Sequence, residues 1–224
     1  MIRKQLIGFT AVALMCSTAA TAAPIVSITE WSYDSLPGEW MEFTNTSSAP
    51  VDMTDWSQDD NDRHAGTHAF GSTFGVVQPG ESVIVTETAE ATFRTAWNLP
   101  ASVKVWAGAT GTGYSNDNLG RSDEINLYDS AGTLIDQLTY NDQGTGNVHG
   151  PRTQNISANI PFAALGLNNA SLAVASAVGD SFHSYSNTSS NAGNPGQYGS
   201  VPEPASLVLL TIGALIGTLR RRTH

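Results

Sequence analysis

The sequence predicts an all-β chain folded as an antiparallel β-sandwich, and three observations carry that expectation. Several stretches of four to eight residues alternate apolar and polar positions at period two. The segments between them are rich in Gly, Ser, Thr and Asn and hold the turn residues that punctuate strands. No long stretch repeats apolar residues at period 3.6. Seven or so short strands joined by turns are most simply closed as two packed sheets.

In order along the chain, Pro24 to Trp31 reads as a first strand, with Val26 and Ile28 set between Ser27 and Thr29. Glu39 to Asn45 alternates next, with Met41 and Phe43 on one face and Trp40, Glu42 and Thr44 on the other. After a turn-rich break from Asn45 to Pro50, the residues Val51, Met53 and Trp56 suggest an arm laid over the core, and Gln58 to Gly71 is polar enough to be loop. Gln78-Pro79-Gly80-Glu81 places Pro and Gly where a type II turn needs them, leading into a strand from Ser82 to Glu87. Thr88 to Trp97 is the best candidate for the one short helix, because Ala89, Phe93, Ala96 and Trp97 recur near helical spacing. Val103 to Trp106 reads as a strand followed by a Gly/Ser/Asn loop. Glu124 to Tyr128 and Thr133 to Tyr140 form the clearest hairpin, turning at Asp129-Ser130-Ala131-Gly132. Leu172 to Ala175 is expected to be the last strand. The stretch from Asn187 to Ser200 is nearly all Ser, Asn, Gly and Pro and reads as a linker.

Both ends carry export signals. Met1 to Lys4 supplies two positive charges, Leu6 to Met15 an apolar run and Ala20-Thr21-Ala22 a small-residue cleavage pattern, so residues 1–23 read as a secretory signal peptide. Cys16, the sole cysteine, lies inside it, with Met15 where a lipidation site wants a small residue. The mature chain therefore contains no thiol for disulfides, metal or nucleophilic chemistry. At the other end Val201-Pro202-Glu203-Pro204 is held extended by its prolines. Ala205 to Leu219 is uncharged but at 15 residues is short for a membrane span, and Arg220, Arg221 and Arg222 follow, the side that stays cytoplasmic. These three parts in this order resemble the PEP-CTERM sorting signal. The resemblance implies an exosortase as processing partner, transient membrane anchoring through residues 205–219, and release to or fixation at the cell surface or an exopolysaccharide matrix.

The exported body keeps five basic residues against 19 acidic ones, a formal charge of −14. Such a surface repels phosphate backbones, so nucleic acid is excluded as a partner. Ile28-Thr29-Glu30, Gly38-Glu39-Trp40-Met41-Glu42-Phe43-Thr44-Asn45 and Val51-Asp52-Met53-Thr54-Asp55-Trp56 are similar to the opening of lamin-tail domains. Pro79-Gly80-Glu81-Ser82-Val83, the hairpin with Gly132-Thr133-Leu134-Ile135-Asp136, and Asn194-Pro195-Gly196 continue the likeness. It implies an immunoglobulin-like sandwich over residues 24–186, used for binding or structure and without a common catalytic site.

The chemistry weighed against that reading is sparse. Asp52, Asp55, Asp59, Asp60 and Asp62 crowd one segment and could offer oxygens to Ca²⁺, with Asp59, Asp60 and Asp62 the first ligand choices, but no EF-hand pattern occurs. His64 and His68 are spaced as zinc ligands on a helix, in a segment too Gly-rich for one. Glu39/Glu42 and Asp123/Glu124 are carboxylate pairs that a hydrolase could use, and strand acids facing solvent explain them more simply. Trp31, Tyr33, Trp97, Trp106 and Tyr114 could stack a sugar, although 18 aromatics in all leave few to spare from the core. No cofactor is implied. The sequence thus describes an exported, exosortase-processed, non-enzymatic surface protein. A calcium- or carbohydrate-dependent adhesion module stands as the alternative, and a secreted carboxylate-dependent hydrolase as a weaker one.

Overall fold

Strand β1 (Val26–Ser32) is buried at every position, which a sandwich strand with one wet face would not be. The computed structural model describes residues 25–114 and 118–199. The next strands are β2 (Trp40–Asn45), β3 (Val51–Asp52), β4 (Ser57–Asp59), β5 (His68–Ala69), β6 (Val76–Val77) and β7 (Ser82–Thr86). Helix α1 (Glu90–Trp97) leads to β8 (Lys104–Trp106), β9 (Ser122–Tyr128) and β10 (Leu134–Asn141). Four two-residue strands follow: β11 (Ala158–Asn159), β12 (Val174–Ala175), β13 (Tyr185–Ser186) and β14 (Ala192–Gly193).

One sheet has the order β12-β11-β1-β2-β7-β8 and the other β10-β9-β4-β5, with the small pairs β3-β6 and β13-β14 beside them. Between the two large sheets lies the main core. Val26, Ile28 and Trp31 of β1, Met41 and Phe43 of β2, and Val83 and Val85 of β7 meet Ile125 and Leu127 of β9 and Leu138 and Tyr140 of β10. The residues that alternate with these point the other way. Trp40, Ile84 and Val105 form a second apolar cluster with Phe93, Ala96 and Trp97 of α1. The helix therefore covers the outer face of the larger sheet, and the period-two pattern was real on both faces. Trp40 anchors this layer, its ring 5.6 Å from Trp97 and 6.0 Å from Phe93 in edge-on arrangements.

Three expectations are corrected. The sandwich is not wholly antiparallel, because β8 pairs parallel to β7. The helix between them carries the chain back to the same end of the sheet, the crossover that a parallel pair requires. The segment 58–71 is not all loop: β4 pairs with β9 and with β5, so it builds the second sheet. Of the linker expected at 187–200, the described residues 187–199 are not free, and the strand near 172–175 is not the last. β13 and β14 follow it, Asn191, Ala192 and Asn194 are buried, and Tyr198 donates its hydroxyl to the Ile160 carbonyl at 2.7 Å. Small polar residues satisfy their own backbone here. Asn187 alone accepts from the amides of Ser189 and Asn191.

The turn at Gln78–Glu81 and the β9-β10 hairpin form as expected. Gly80 takes φ +76° and Glu81 N–H donates to the Gln78 carbonyl at 2.9 Å. In the hairpin, Gly132 N–H donates to the Asp129 carbonyl at 3.0 Å. The signal-peptide and membrane-segment expectations fall outside the described residues. Among those that are described, no helix is long and apolar enough to cross a membrane.

The two sheets are also tied by a buried acid. Asp136 of β10 accepts the Ile28 amide of β1 at 2.9 Å, at the place where the β1-β2 register shifts between Ile28 and Glu30. Burial pushes its carboxyl up to about 6, against the two backbone hydrogen bonds it accepts. Asp136→Ala at pH 7 is expected to cost about 1–3 kcal/mol, the penalty of leaving a buried N–H unmet. Urea unfolding at constant m-value measures it, and a change within experimental error would mean that the Ile28 amide finds another acceptor.

Candidate functional site

The irregularity in β1 has a chemical consequence on the sheet's outer face. Thr29 is skipped in the pairing with β2, while Glu30 pairs with Glu42. Both Thr29 and Glu30 then reach the same polar cluster. Thr29 Oγ1 donates to Glu42 Oε1 at 2.6 Å and lies 2.8 Å from Thr44 Oγ1, which is 2.7 Å from Ser82 Oγ. Glu30 Oε1 accepts the Ser157 hydroxyl. Ser157 Oγ lies 2.7 Å from Ser176 Oγ, to which Asn159 Nδ2 donates at 3.0 Å. Glu42, Glu30 and Asn159 thus stand in one cross-strand row over β2, β1 and β11. All three are fully buried.

What covers them is the segment Asn191–Tyr198, a strap running across the row. Asn194 N–H donates to Glu30 Oε1 at 3.0 Å, and Gly196 N–H to Glu42 Oε2 at 2.8 Å. Asn159 Nδ2 also reaches Asn194 Oδ1 at 2.8 Å. Gly193 lets the strap lie this close, since a Cβ there would stand 2.9 Å from Ser157 Oγ, 3.0 Å from Trp97 and 3.1 Å from Trp40.

Two carboxylates brought together out of water resist ionisation. Burial pushes Glu42 up to about 7, against the hydrogen bonds from Thr29, Gly196, Ser82 and Thr44. Burial, then the neighbouring Glu42 charge, holds Glu30 well above the ordinary carboxylate range. Asp180, Tyr185 and Tyr198 are further titratable groups acting on the pair, and none of them carries positive charge. Among the described residues, Glu30 Oε2 and Asn159 Oδ1 have no hydrogen-bond partner. The cluster can therefore store a proton and grip a peptide segment by its amides.

The sites expected from sequence are dispersed. Asp52 caps the Thr54 amide at 3.0 Å, Asp59 is buried and accepts the His64 amide, and Asp60 caps the Asp62 amide at 3.1 Å. These acids serve their own turns. Among the described residues, no group of three or more His, Cys, Asp or Glu could hold a metal ion. His64 and His68 lie on a turn and a strand, with His68 4.9 Å from the Tyr114 ring.

Glu39, just before β2, and Glu42 within it are not solvent-facing strand acids; both are buried, and three positions apart along an extended chain they point to opposite sides. Asp123 and Glu124 are adjacent in β9 and part in the same way. Glu124 takes a two-pronged contact from Arg63 at 2.7 and 2.5 Å, and Asp123 accepts the Gly120 amide at 2.7 Å. Of the aromatics considered for sugar stacking, Trp31, Tyr33, Trp97 and Trp106 are buried. Only Tyr114 is partly exposed. The sorting residues Val201, Pro202, Glu203, Pro204, Arg220, Arg221 and Arg222 lie outside the described residues.

Sequence pairs Glu42 with its near neighbour Glu39 and holds Glu30 only within the lamin-tail likeness, so the Glu30/Glu42 pair, which is made across two strands, is not among the expected sites. The available signal was Thr-Glu in one strand and Glu-x-Thr in the next, small donors beside each acid. Residues 19–142, more than half of the 224, match the Lamin Tail Domain family.

The chain belongs to the lamin tail domain family.

Residues 200–222 match the PEP-CTERM protein-sorting motif, which begins two residues after Tyr198 at the end of the strap. Neither matched family is catalytic. No curated protein matches the chain. The family match ends at Asn141-Asp142, so the strap that closes the Glu30/Glu42 cluster belongs to the part of the sandwich beyond it.

Proposed function

We propose that this lamin tail domain protein is an exported surface component. In this reading residues 1–23 direct secretion, residues 205–219 hold the chain briefly in the membrane, and an exosortase processes it at Pro202-Glu203-Pro204. The body is then released to, or fixed at, the cell surface or the exopolysaccharide matrix, where it acts as a binding or structural module and not as an enzyme. The observation that carries the reading is the PEP-CTERM motif at residues 200–222. It begins two residues after Tyr198, the last side chain seen anchored to the sandwich.

That placement supports a mounting role. With the strap closed, only Gly199, Ser200 and Val201 separate a hydrogen-bonded tyrosine from Pro202, so the domain sits within roughly 15 Å of its processing site at about 3.5 Å per extended residue. The acidic body also suits a hydrated matrix from which anionic lipid is repelled. Mass spectrometry of the native protein's C-terminus, with and without the cell's exosortase, tests the proposal. A terminus lacking Arg220–His224 only when the exosortase is present is expected; a mature product that keeps those residues in both cells overturns it.

A further inference from the structure

The middle of the strap is held to the sheet by acids, and acids can be unmade as partners by pH. The Asn194 and Gly196 amides end on Glu30 and Glu42, whereas the start of the strap is pinned backbone to backbone, Ala192 N–H donating to the Asn155 carbonyl at 3.2 Å and the Ala192 carbonyl accepting the Ser157 amide at 2.8 Å. Glu30 Oε2 and Asn159 Oδ1 are both acceptors, both fully buried and both unmet among the described residues, on directly opposed positions of β1 and β11. Opposed strand positions bring Cβ atoms within about 5 Å. Two unmet acceptors on opposed positions call for a shared donor or cation between them. Calcium would want roughly six to eight oxygens, and the cluster has only these two unspent, Glu42 being already engaged by Thr29 and Gly196. One hydrogen, carried by Glu30 as a carboxylic acid and donated to the Asn159 carbonyl oxygen, satisfies both atoms at once.

We infer that Glu30 and Glu42 form a proton-operated latch: while a proton is held between Glu30 Oε2 and Asn159 Oδ1 the strap Asn191–Tyr198 lies closed, and loss of that proton to solvent opens it. The reason is hydration. Closed, the strap seals both carboxyls from water; open, they are solvated and ionise as ordinary glutamates, so rising pH favours the open form. The other titratable groups facing the pair, Asp180, Tyr185 and Tyr198, are acidic or neutral and offer no compensating cation. Burial of the pair raises both members, which agrees with this direction.

The consequence for sorting rests on the function proposed above. A closed latch leaves only three residues between the anchored Tyr198 and Pro202. An open one frees Asn194–Gly199 as a tether of about 20 Å, part of the linker that its composition suggests.

Amide hydrogen exchange of the full chain in detergent micelles, corrected for the intrinsic pH dependence of exchange, tests the latch without any sorting enzyme. Protection of the Asn194 and Gly196 amides is expected to fall by up to about tenfold per pH unit over the window in which one proton leaves, while the β9-β10 hairpin keeps its protection. In the double variant E30Q/E42Q the strap's protection should be flat with pH. Strap protection that is flat in the native chain, or a double variant that keeps the native pH response, overturns the latch. Calcium restoring protection at high pH would overturn the proton as the shared species. Infrared absorption of a protonated carboxylic acid in the unsubstituted protein, persisting at pH 7, above the range in which the Asp136 carboxyl titrates, and lost in step with the strap's protection, carries the test even if the variants do not fold; a band that disappears before the strap's protection falls refutes the proposal. None of these readouts depends on tail processing, so the sorting reading and the latch stand or fall separately.

Discussion

Trp40→Ala is expected to lower the free energy of unfolding by about 3–5 kcal/mol, the range for emptying a buried aromatic site that cannot collapse. Trp40 is fully buried in β2 but faces away from the main core, and its ring meets Phe93 and Trp97 of α1 on one side. On the other it lies against the strap, where a Cβ on Gly193 would stand 3.1 Å from its six-membered ring. Its loss therefore loosens the helix and the strap together. Among the described residues its indole N–H has no hydrogen-bond partner, so Trp40→Phe should cost much less, since only volume is surrendered. Denaturant unfolding of both variants makes the comparison. A Trp40→Ala penalty below about 1 kcal/mol would show that α1 repacks and that the second cluster is not a true core.

The second large effect is on pH. A native carboxyl raised above its unfolded value binds a proton that the unfolded chain has already released, so its stabilising contribution is complete below the unfolded value and disappears as pH rises through the native one. Glu42 moves from an ordinary 4.5 to about 7, Glu30 lies well above that ordinary value, and Asp136 moves from 3.8 to about 6. Glu124 runs the opposite way. The Arg63 hydrogen bonds hold it below its ordinary value, so its contribution is lost only as pH falls through that lower range. Stability should therefore peak on the mildly acidic side of neutrality and decline toward pH 8. The Glu42 displacement alone corresponds to a loss on the order of 3 kcal/mol between pH 5 and pH 8. Unfolding free energies at those two pH values measure it. E42Q should flatten most of the slope, and a protein as stable at pH 8 as at pH 5 would contradict the burial of the pair.

These effects arise from features that differ in how visible they were. The alternation of Val83, Ile84 and Val85 announced a strand, and both of its faces proved buried because the helix announced by Phe93, Ala96 and Trp97 lies across one of them. The turn chemistry at Pro79-Gly80 and at Asp129–Gly132 was equally legible, since a turn is specified by residues adjacent in the chain. The tail motif needs no fold to be read. Each of these patterns is local, a matter of periods, turn residues and charges within a few positions.

The parallel pairing of β7 with β8, the conversion of a linker-like stretch into a strap and the meeting of Glu30 with Glu42 were settled by folding. The strap's amides find their carboxylates across 164 and 154 positions of chain, and no local pattern records which distant segment will cover a given face. Ser, Asn and Gly suit a solvated linker because they bind water, and suit a buried strap because the same side chains bind backbone. Composition is therefore silent between the two, and what distinguishes them here is the row of Glu42, Glu30 and Asn159, whose acids accept the strap's N–H donors once it lies across them.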